Sequence, residues 1–324
     1  MLEPPRRHRP APPAPGNPGG LAERAATPRA VLGLPPGSVP GQAGPPAGEV
    51  LHPALPSSPT RGREPSPSPE EFERPSSARV YDYLLGGAAH GAVDRRAGDE
   101  LTRTSGDVVT LARENRAFLR RAVRFLLAAG IDQFLDLGSG VPTMGNVHEV
   151  VARSRSTARV AYTDVDSIAA LHGQALLAAV PTASYSTVDV TDVAAVLAAP
   201  GVAGLLDLGR PVGLLAFSML QHVPDDAAGL VERYLARLVP GSALAVSHFT
   251  TDDGRATRHV ERITASYAHG APRARSRDQV ARIVAGVDLV EPGLTWAGQW
   301  RPEAGRPPAD TDPRGHWAAV GFLR

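Results

Sequence analysis

From about residue 71 onward, short continuous apolar runs take turns with longer segments whose apolar residues recur every three or four positions. The first rhythm suits strands covered on both faces, the second helices with one buried side. Their alternation predicts an α/β domain with a mostly parallel sheet and right-handed crossovers. The clearest helix is 107–129: Leu111, Asn115, Leu119, Ala122 and Leu126 fall on one side and Arg113, Arg116, Arg120 and Arg124 on another. Strands are predicted at 133–137, 159–163, 184–188, 211–217 and 242–249. Helices are predicted at 146–153, 167–179 and 225–239, and a capping box of Ser276 and Gln279 opens one more, to about 285. The stretch 289–324 reads as two strands joined by a polar, Pro-rich loop.

Before residue 71 the pattern fails. Of the 32 prolines, 19 lie in the first 70 residues, with few aromatics and no hydrophobic period. Such a stretch cannot bury enough apolar surface to offset the entropy of ordering it. The expected organisation is a disordered tail over 1–70 and one domain over 71–324. A Pro-rich ligand for a partner domain is a further reading of the tail; a solvated tail, or a gene start placed too early, is the simpler one.

Composition narrows the chemistry. The formal net charge is +1, so no overall field favours nucleic acid or an acidic membrane. Cysteine and lysine are both absent, which excludes thiolate catalysis, Cys-ligated metals, Schiff bases and a P-loop lysine. No apolar stretch follows the charged start, and the most apolar window, Gly201 to Leu220, is interrupted by Asp207 and Arg210. The expectation is a soluble, cytoplasmic protein that does not engage a membrane. No His and carboxylate set has metal-ligand spacing.

The most specific stretch is Phe134-Leu-Asp-Leu-Gly-Ser-Gly-Val141. A buried strand runs directly into a loop with two glycines, which permit positive φ and close approach of a ligand. At the carboxyl end of a first strand such a loop faces the ligand crevice of an open α/β sheet. Asp136 precedes the loop where a pyrophosphate site would disfavour negative charge, and Thr143 stands where a dinucleotide fingerprint has its third glycine. Both features favour S-adenosylmethionine, with its sulfonium and ammonium, over a nicotinamide dinucleotide. A dinucleotide-dependent oxidoreductase remains the third choice. Asp164 ends the second strand, where a carboxylate can hold a ribose diol, and Asp189 ends the third, where one can accept from an adenine amino group.

Residues 74–324 resemble a family of actinobacterial S-adenosylmethionine-dependent methyltransferases formerly described as a domain of unknown function. The resemblance rests on Pro75-Ser-Ser-Ala-Arg-Val-Tyr-Asp-Tyr-Leu-Leu-Gly-Gly87, Asn115-Arg-Ala-Phe-Leu119, the glycine loop, Pro142-Thr143, Gly145-Asn-Val-His-Glu149, Pro240-Gly-Ser242, Ser276-Arg-Asp-Gln-Val280 and Val290-Glu-Pro-Gly293. It implies a Rossmann-like class I fold with a seven-stranded, mostly parallel sheet and helices on both faces. Ala88-Ala-His-Gly91 departs from the family's usual polar and aromatic residues there, and Met144 replaces a frequent Gln.

The resulting expectations are specific. The backbone of Gly138, Ser139 and Gly140 lies against the methionine part of the cofactor, and Asp136 takes its ammonium. Asp164 and Val165 hold the ribose, Asp189 and Val190 flank the adenine, and Ser218 touches the ligand at the end of the fourth strand. Tyr81, Gly86 and Gly87 cap the site, with Tyr83 beside them. Arg79 or Arg116 pairs with the methionine carboxylate, and Asn115, a polar residue on an apolar helix side, makes a ligand contact. His222 is the candidate base, with His148 and His248 as alternatives. The acceptor is expected to be a small molecule bearing oxygen or nitrogen. Arg-rich runs without interleaved aromatics make nucleic acid a weaker choice. A non-catalytic cofactor-binding or regulatory protein is the alternative, motivated by the altered loop 88–91 and the lack of a convincing base.

Overall fold

A computed structural model describes residues 67–223, 225–250, 252, 264–265, 267–303 and 314–324. Most of the expected tail, 1–66, lies outside the described residues. The rest belongs to one compact unit, Arg61–Arg324.

The first strands form where apolar runs were expected: β1 Gln133–Leu137, β2 Arg159–Asp164, β3 Ala183–Thr187, β4 Gly213–Phe217 and β5 Ala243–Phe249. They pair in parallel, β3-β2-β1-β4-β5. The chain winds outward from β1 through β2 to β3, then returns to the other side of β1 to lay down β4 and β5. The strand order therefore reverses between β1 and β4, and a ligand crevice opens at the carboxyl ends beside such a switch point.

The C-terminal region differs from expectation. In place of two comparable strands there is one of seven residues, β8 His316–Phe322, antiparallel to β5. Two short strands, β6 Asp288–Leu289 and β7 Thr295–Trp296, each pair with the far edge of β8. The sheet has eight strands instead of seven because the seventh place is shared by two fragments of two residues each.

Alternation along the strands divides the core between two faces. Leu135, Leu137, Leu214, Ala216, Leu244 and Val246 point to one face, packed by α9 Ala227–Leu235. Phe134, Val160, Tyr162, Leu215 and Ala245 point to the other, packed by α4 Val108–Ala128. Asp136 shares its strand face with Phe134, so it is aimed at α4 and its Arg116.

Around these stand α5 Val147–Arg153, α6 Ser167–Leu177, α7 Val193–Ala198, α8 Pro200–Ala203 and α10 Arg277–Ile283. The Ser276–Gln279 capping box is present: Ser276 Oγ accepts from Gln279 N and Gln279 Oε1 accepts from Ser276 N. Three helices precede α4: α1 Pro69–Glu73, α2 Ser77–Leu85 and α3 Ala92–Thr104. No helix among the described residues is long and apolar enough to cross a membrane.

Candidate cofactor and acceptor site

A cavity of about 780 Å³ opens at the carboxyl ends of the parallel strands. Its floor is the glycine loop. Gly138 and Gly140 have φ of 59° and 60°, and a side chain at Gly138 would stand 1.9 Å from Met219 Cγ. Both glycines are therefore required by conformation, and the first by space as well.

Asp164 holds this loop. One carboxylate oxygen accepts from Gly140 N at 2.8 Å and the other from Asp166 N at 2.9 Å. A carboxylate has about four acceptor sites, so capacity remains for a ligand. Tyr185 donates to Gly140 O at 2.9 Å from the next strand. Burial pushes the Asp164 carboxyl above its ordinary range, while the two backbone N–H groups pull it back.

Asp136 is 3% exposed. Burial pushes its carboxyl up to about 7, against the pull of the Arg116 guanidinium and with a smaller push from Asp164. Arg116 donates to Asn146 Oδ1, the N-cap residue of α5, and lies over the Tyr81 ring at 5.5 Å. Its Nε is buried without a hydrogen-bond partner. A buried carboxyl near neutrality and a guanidinium with an unused donor, lining one cavity, form a pair suited to a zwitterionic ligand.

Beyond β3, Asp189 is exposed and folded into a turn in which its Oδ1 accepts from Thr191 N and Oγ1. Tyr234 Oη donates to Val190 O at 2.7 Å, which fixes this wall from α9. Val165 and Val190 line the cavity beside them.

The end of β4 supplies Ser218, a non-glycine residue at φ 53°. Such strain persists where surroundings over-determine it. Here Ser218 N donates to Ser247, its Oγ accepts from Gln221 Nε2 at 2.8 Å, and its Oγ lies 2.9 Å from His316 Nε2. Gln221 and His222 belong to the 3-10 turn Leu220–His222 that follows. Burial pushes His222 down to about 4 and His316 down to about 3.

The roof comes from the N-terminal helices. Tyr81 Oη accepts from Asn115 Nδ2 and donates to Ala112 O, while Asn115 Oδ1 accepts from Ser247 Oγ at 2.5 Å. The polar residue on the apolar side of α4 thus links the roof to β5 and also lines the cavity.

Several expected site residues stand elsewhere. Gly86 and Gly87 do not line the cavity. Gly86 is the left-handed cap of α2, and a side chain on Gly87 would lie 2.0 Å from Asp82 Oδ1. Tyr83 binds Asp99 on the exposed side. Asp82 is the hub of this motif: it accepts from Ala89 N at 2.8 Å and from Thr143 Oγ1 and faces His90 Nδ1 at 3.0 Å. The motif's glycines and aspartate therefore fix the roof, and within Tyr81–Gly87 only Tyr81 and Leu84 reach the ligand space. The altered loop 88–91 belongs to the same hub, outside the lining. Arg79 is a structural cation bound to Asp94 and Asp166. His148 binds Tyr162 Oη, and His248 lies against Arg275; neither lines the cavity.

Sequence reasoning missed His316, Gln221, Phe249 and Tyr267, all of which line it. Only a polar residue opening an otherwise apolar strand could have pointed to His316.

Comparison with known proteins agrees with this geometry. The family model described as S-adenosyl methyltransferase matches residues 64–324. A crystal structure of a candidate methyltransferase from Thermobifida fusca YX is 37% identical, with a TM-score of 0.74, over 80% of this chain and 98% of that one. A DUF574 family protein from Streptomyces avermitilis is 36% identical, with a TM-score of 0.73, over 78% of this chain and 99% of that one. No curated protein shows a significant match.

Proposed function

The chain belongs to the S-adenosyl methyltransferase family, and from that premise we propose that the cavity holds S-adenosylmethionine on its β1–β3 side and a small-molecule acceptor on its β4–β8 side. S-adenosylmethionine is the cofactor of the family and supplies a methyl group activated by a positive sulfur. The observation that carries the reading is the meeting, at one switch point, of a positive-φ glycine loop with the Asp136–Arg116 pair and Asp164.

In this arrangement the backbone of Gly138, Ser139 and Gly140 lies along the methionine part. Arg116 meets the cofactor carboxylate and Asp136 its ammonium. Asp164, with Val165 beside it, uses its remaining acceptor sites on the ribose diol. Asp189 and Val190 border the adenine, and Ser218 stands where donor and acceptor meet. Asn115 and Tyr81 hold the roof above the methyl group. Methyl transfer from a sulfonium needs little covalent help, so proximity, alignment and exclusion of water supply most of the acceleration.

One motive for the alternative of a binder without turnover weakens, because the altered loop 88–91 lies in the roof's supporting hub and outside the cavity lining; the other, the lack of a convincing base, stands. Calorimetric titration of S-adenosylmethionine into the full chain tests the reading. Asp164→Ala is expected to weaken binding at least tenfold, about 1.4 kcal/mol. Equal affinity in the variant would remove Asp164 from the site, and absence of binding by the folded parent would defeat the reading.

A further inference from the structure

Gly145-Asn-Val-His-Glu149 lies outside the cavity lining, yet each of its residues is fixed in place. Gly145 turns the chain at φ 66°, where a side chain would stand 2.8 Å from Arg120 Nη1. Glu149 Oε1 accepts from Gly145 N at 2.8 Å and from Asn146 N at 3.2 Å, and Glu149 Oε2 accepts from Arg153 at 2.7 Å. Tyr162 Oη accepts from His148 N at 2.8 Å and ties the turn to β2. Val147 is fully buried in the core cluster that holds Phe118 and Leu119 of α4. The backbone of Asn146 is thus held from both sides. Its side chain turns to the site, where Oδ1 accepts from Arg116 Nη1. Both residues are buried, 1% and 7% exposed.

The type of partner matters as much as the contact. Arg79 meets two carboxylates, Asp94 at 2.9 Å and Asp166 at 3.4 Å. Arg116 is held by uncharged groups, the Asn146 amide oxygen and the Tyr81 ring at 5.5 Å. Asp136 feels its field, but burial pushes that carboxyl up to about 7. A buried guanidinium without an anion is costly. An aspartate at 146 would have the same shape and would supply the anion from within the protein. The amide accepts the hydrogen bond without cancelling the charge, and it does so against its own interest: Asn146 Nδ2 is buried without a partner, an orphan donor that a carboxylate would not have. Arg116 Nε is the second orphan, on a side chain that lines the cavity.

We propose that Asn146 is a positioning residue for cofactor recognition, whose neutral amide oxygen fixes the Arg116 guanidinium in the cavity wall and leaves its charge free for the carboxylate of the methionine part. The inference rests on the cofactor reading of the cavity and deepens it by naming what sets the preference for a ligand that bears a carboxylate. The guanidinium is planar, so a hydrogen bond at Nη1 and a ring beside it direct the remaining N–H groups. A side chain ordered before the ligand arrives spares the complex that ordering cost. The fixed turn around Asn146 carries the rigidity, and the choice of amide over carboxylate carries the selectivity.

The test titrates the full chain by calorimetry with S-adenosylmethionine and with its decarboxylated analogue, which keeps the sulfonium, ribose, adenine and ammonium and lacks only the carboxylate. The parent should bind S-adenosylmethionine at least about tenfold more tightly than the analogue, the scale of a charge-assisted hydrogen bond. Asn146→Asp places an anion on Arg116 and should reduce that preference to about twofold or less. Asn146→Ala releases the guanidinium and should weaken S-adenosylmethionine by about fivefold, the cost of ordering one long side chain, and the analogue by less than about twofold.

A merely structural role for Asn146 would weaken both ligands alike and keep the preference; that result overturns the proposal. A parent that binds the two ligands equally also overturns it, and leaves the cofactor reading standing. Arg116→Met separates the remaining cases: a preference lost there but kept in both Asn146 variants removes Asn146 from recognition and leaves Arg116 as the partner of the carboxylate. Absence of S-adenosylmethionine binding by the folded parent defeats the cofactor reading instead. Should Asn146→Asp fail to fold, the preference shown by Asn146→Ala decides.

Discussion

Arg79 and Arg116 are 2% and 7% exposed and begin from the same expectation, a partner for a ligand carboxylate. The regions around them are built on opposite plans. Arg79 sits in a closed hub: NH1 donates to Asp94 at 2.9 Å, Nε to Asp166 at 3.4 Å, and NH2 to Glu71 O and Arg74 O. Its carboxylates are occupied as well, since Asp94 accepts from Ser76 N and Gly91 N and Asp166 caps α6 through Ala169 N. Arg116 sits in an open site, with one nitrogen on Asn146, one without a partner, and a carboxyl nearby that burial holds near neutrality. A saturated buried cation fastens structure, here the roof helix α2 to the loop after β2. An unsaturated one facing a cavity is capacity held for a ligand.

The largest expected effect lies in the closed hub. Arg79→Met leaves two buried carboxylates without their cation and should destabilise the protein by about 3–5 kcal/mol, read from the midpoint of urea unfolding. Little change in the midpoint together with a large loss of cofactor affinity would reverse the comparison. Arg116→Met should do the opposite. In the proposed arrangement it removes a charged hydrogen bond to the cofactor carboxylate, about 1.5–3 kcal/mol, so calorimetry should show roughly a tenfold to hundredfold weaker binding with a smaller stability change.

The difference between the two arginines also marks what a sequence can carry. The places of the glycine loop, Asp136 and Asp164 around the cavity were legible because they are set locally: strand ends and positive-φ glycines are encoded within a few residues of one another. The role of Arg79 was not, because Asp166 lies 87 residues away, and nothing near Arg79 shows whether its donors are taken. Likewise His316 reaches Ser218 across 98 residues, through the pairing of β8 with β5. The Tyr81–Gly87 motif was visible as a specific pattern, yet its glycines serve Asp82 and the cap of α2, a division that only the packed structure separates. Asn115 shows that a polar residue in an apolar stripe was the right sign of a buried network, although its partners Tyr81 and Ser247 came from folding. The divided edge beside β8 was missed because strands of two residues carry no period to read.

The smallest expected effect is a pH dependence confined to the open site. Asp136 in the folded protein is raised from 3.8 to about 7. Between those values the folded state keeps a proton that the unfolded state has lost, so this group's contribution to stability is present below 3.8 and fades as pH rises through about 7. An incoming ammonium favours the ionised carboxylate, so cofactor binding should release a proton below pH 7. Affinity should then rise with pH by at most about tenfold per unit, 1.4 kcal/mol, and level off above about 7. The groups facing Asp136 include Arg116 and Asp164 and the hydroxyls of Tyr162 and Tyr185, which burial keeps protonated, and burial and backbone N–H groups already govern Asp164. The check is calorimetry between pH 6 and 8 in two buffers of different ionisation enthalpy. The parent should show a buffer-dependent heat that disappears in Asp136→Asn. A buffer-dependent heat that persists in the variant would move the titrating group elsewhere, and an affinity flat with pH in the parent would make Asp136 as closed a partner as Asp94 is to Arg79.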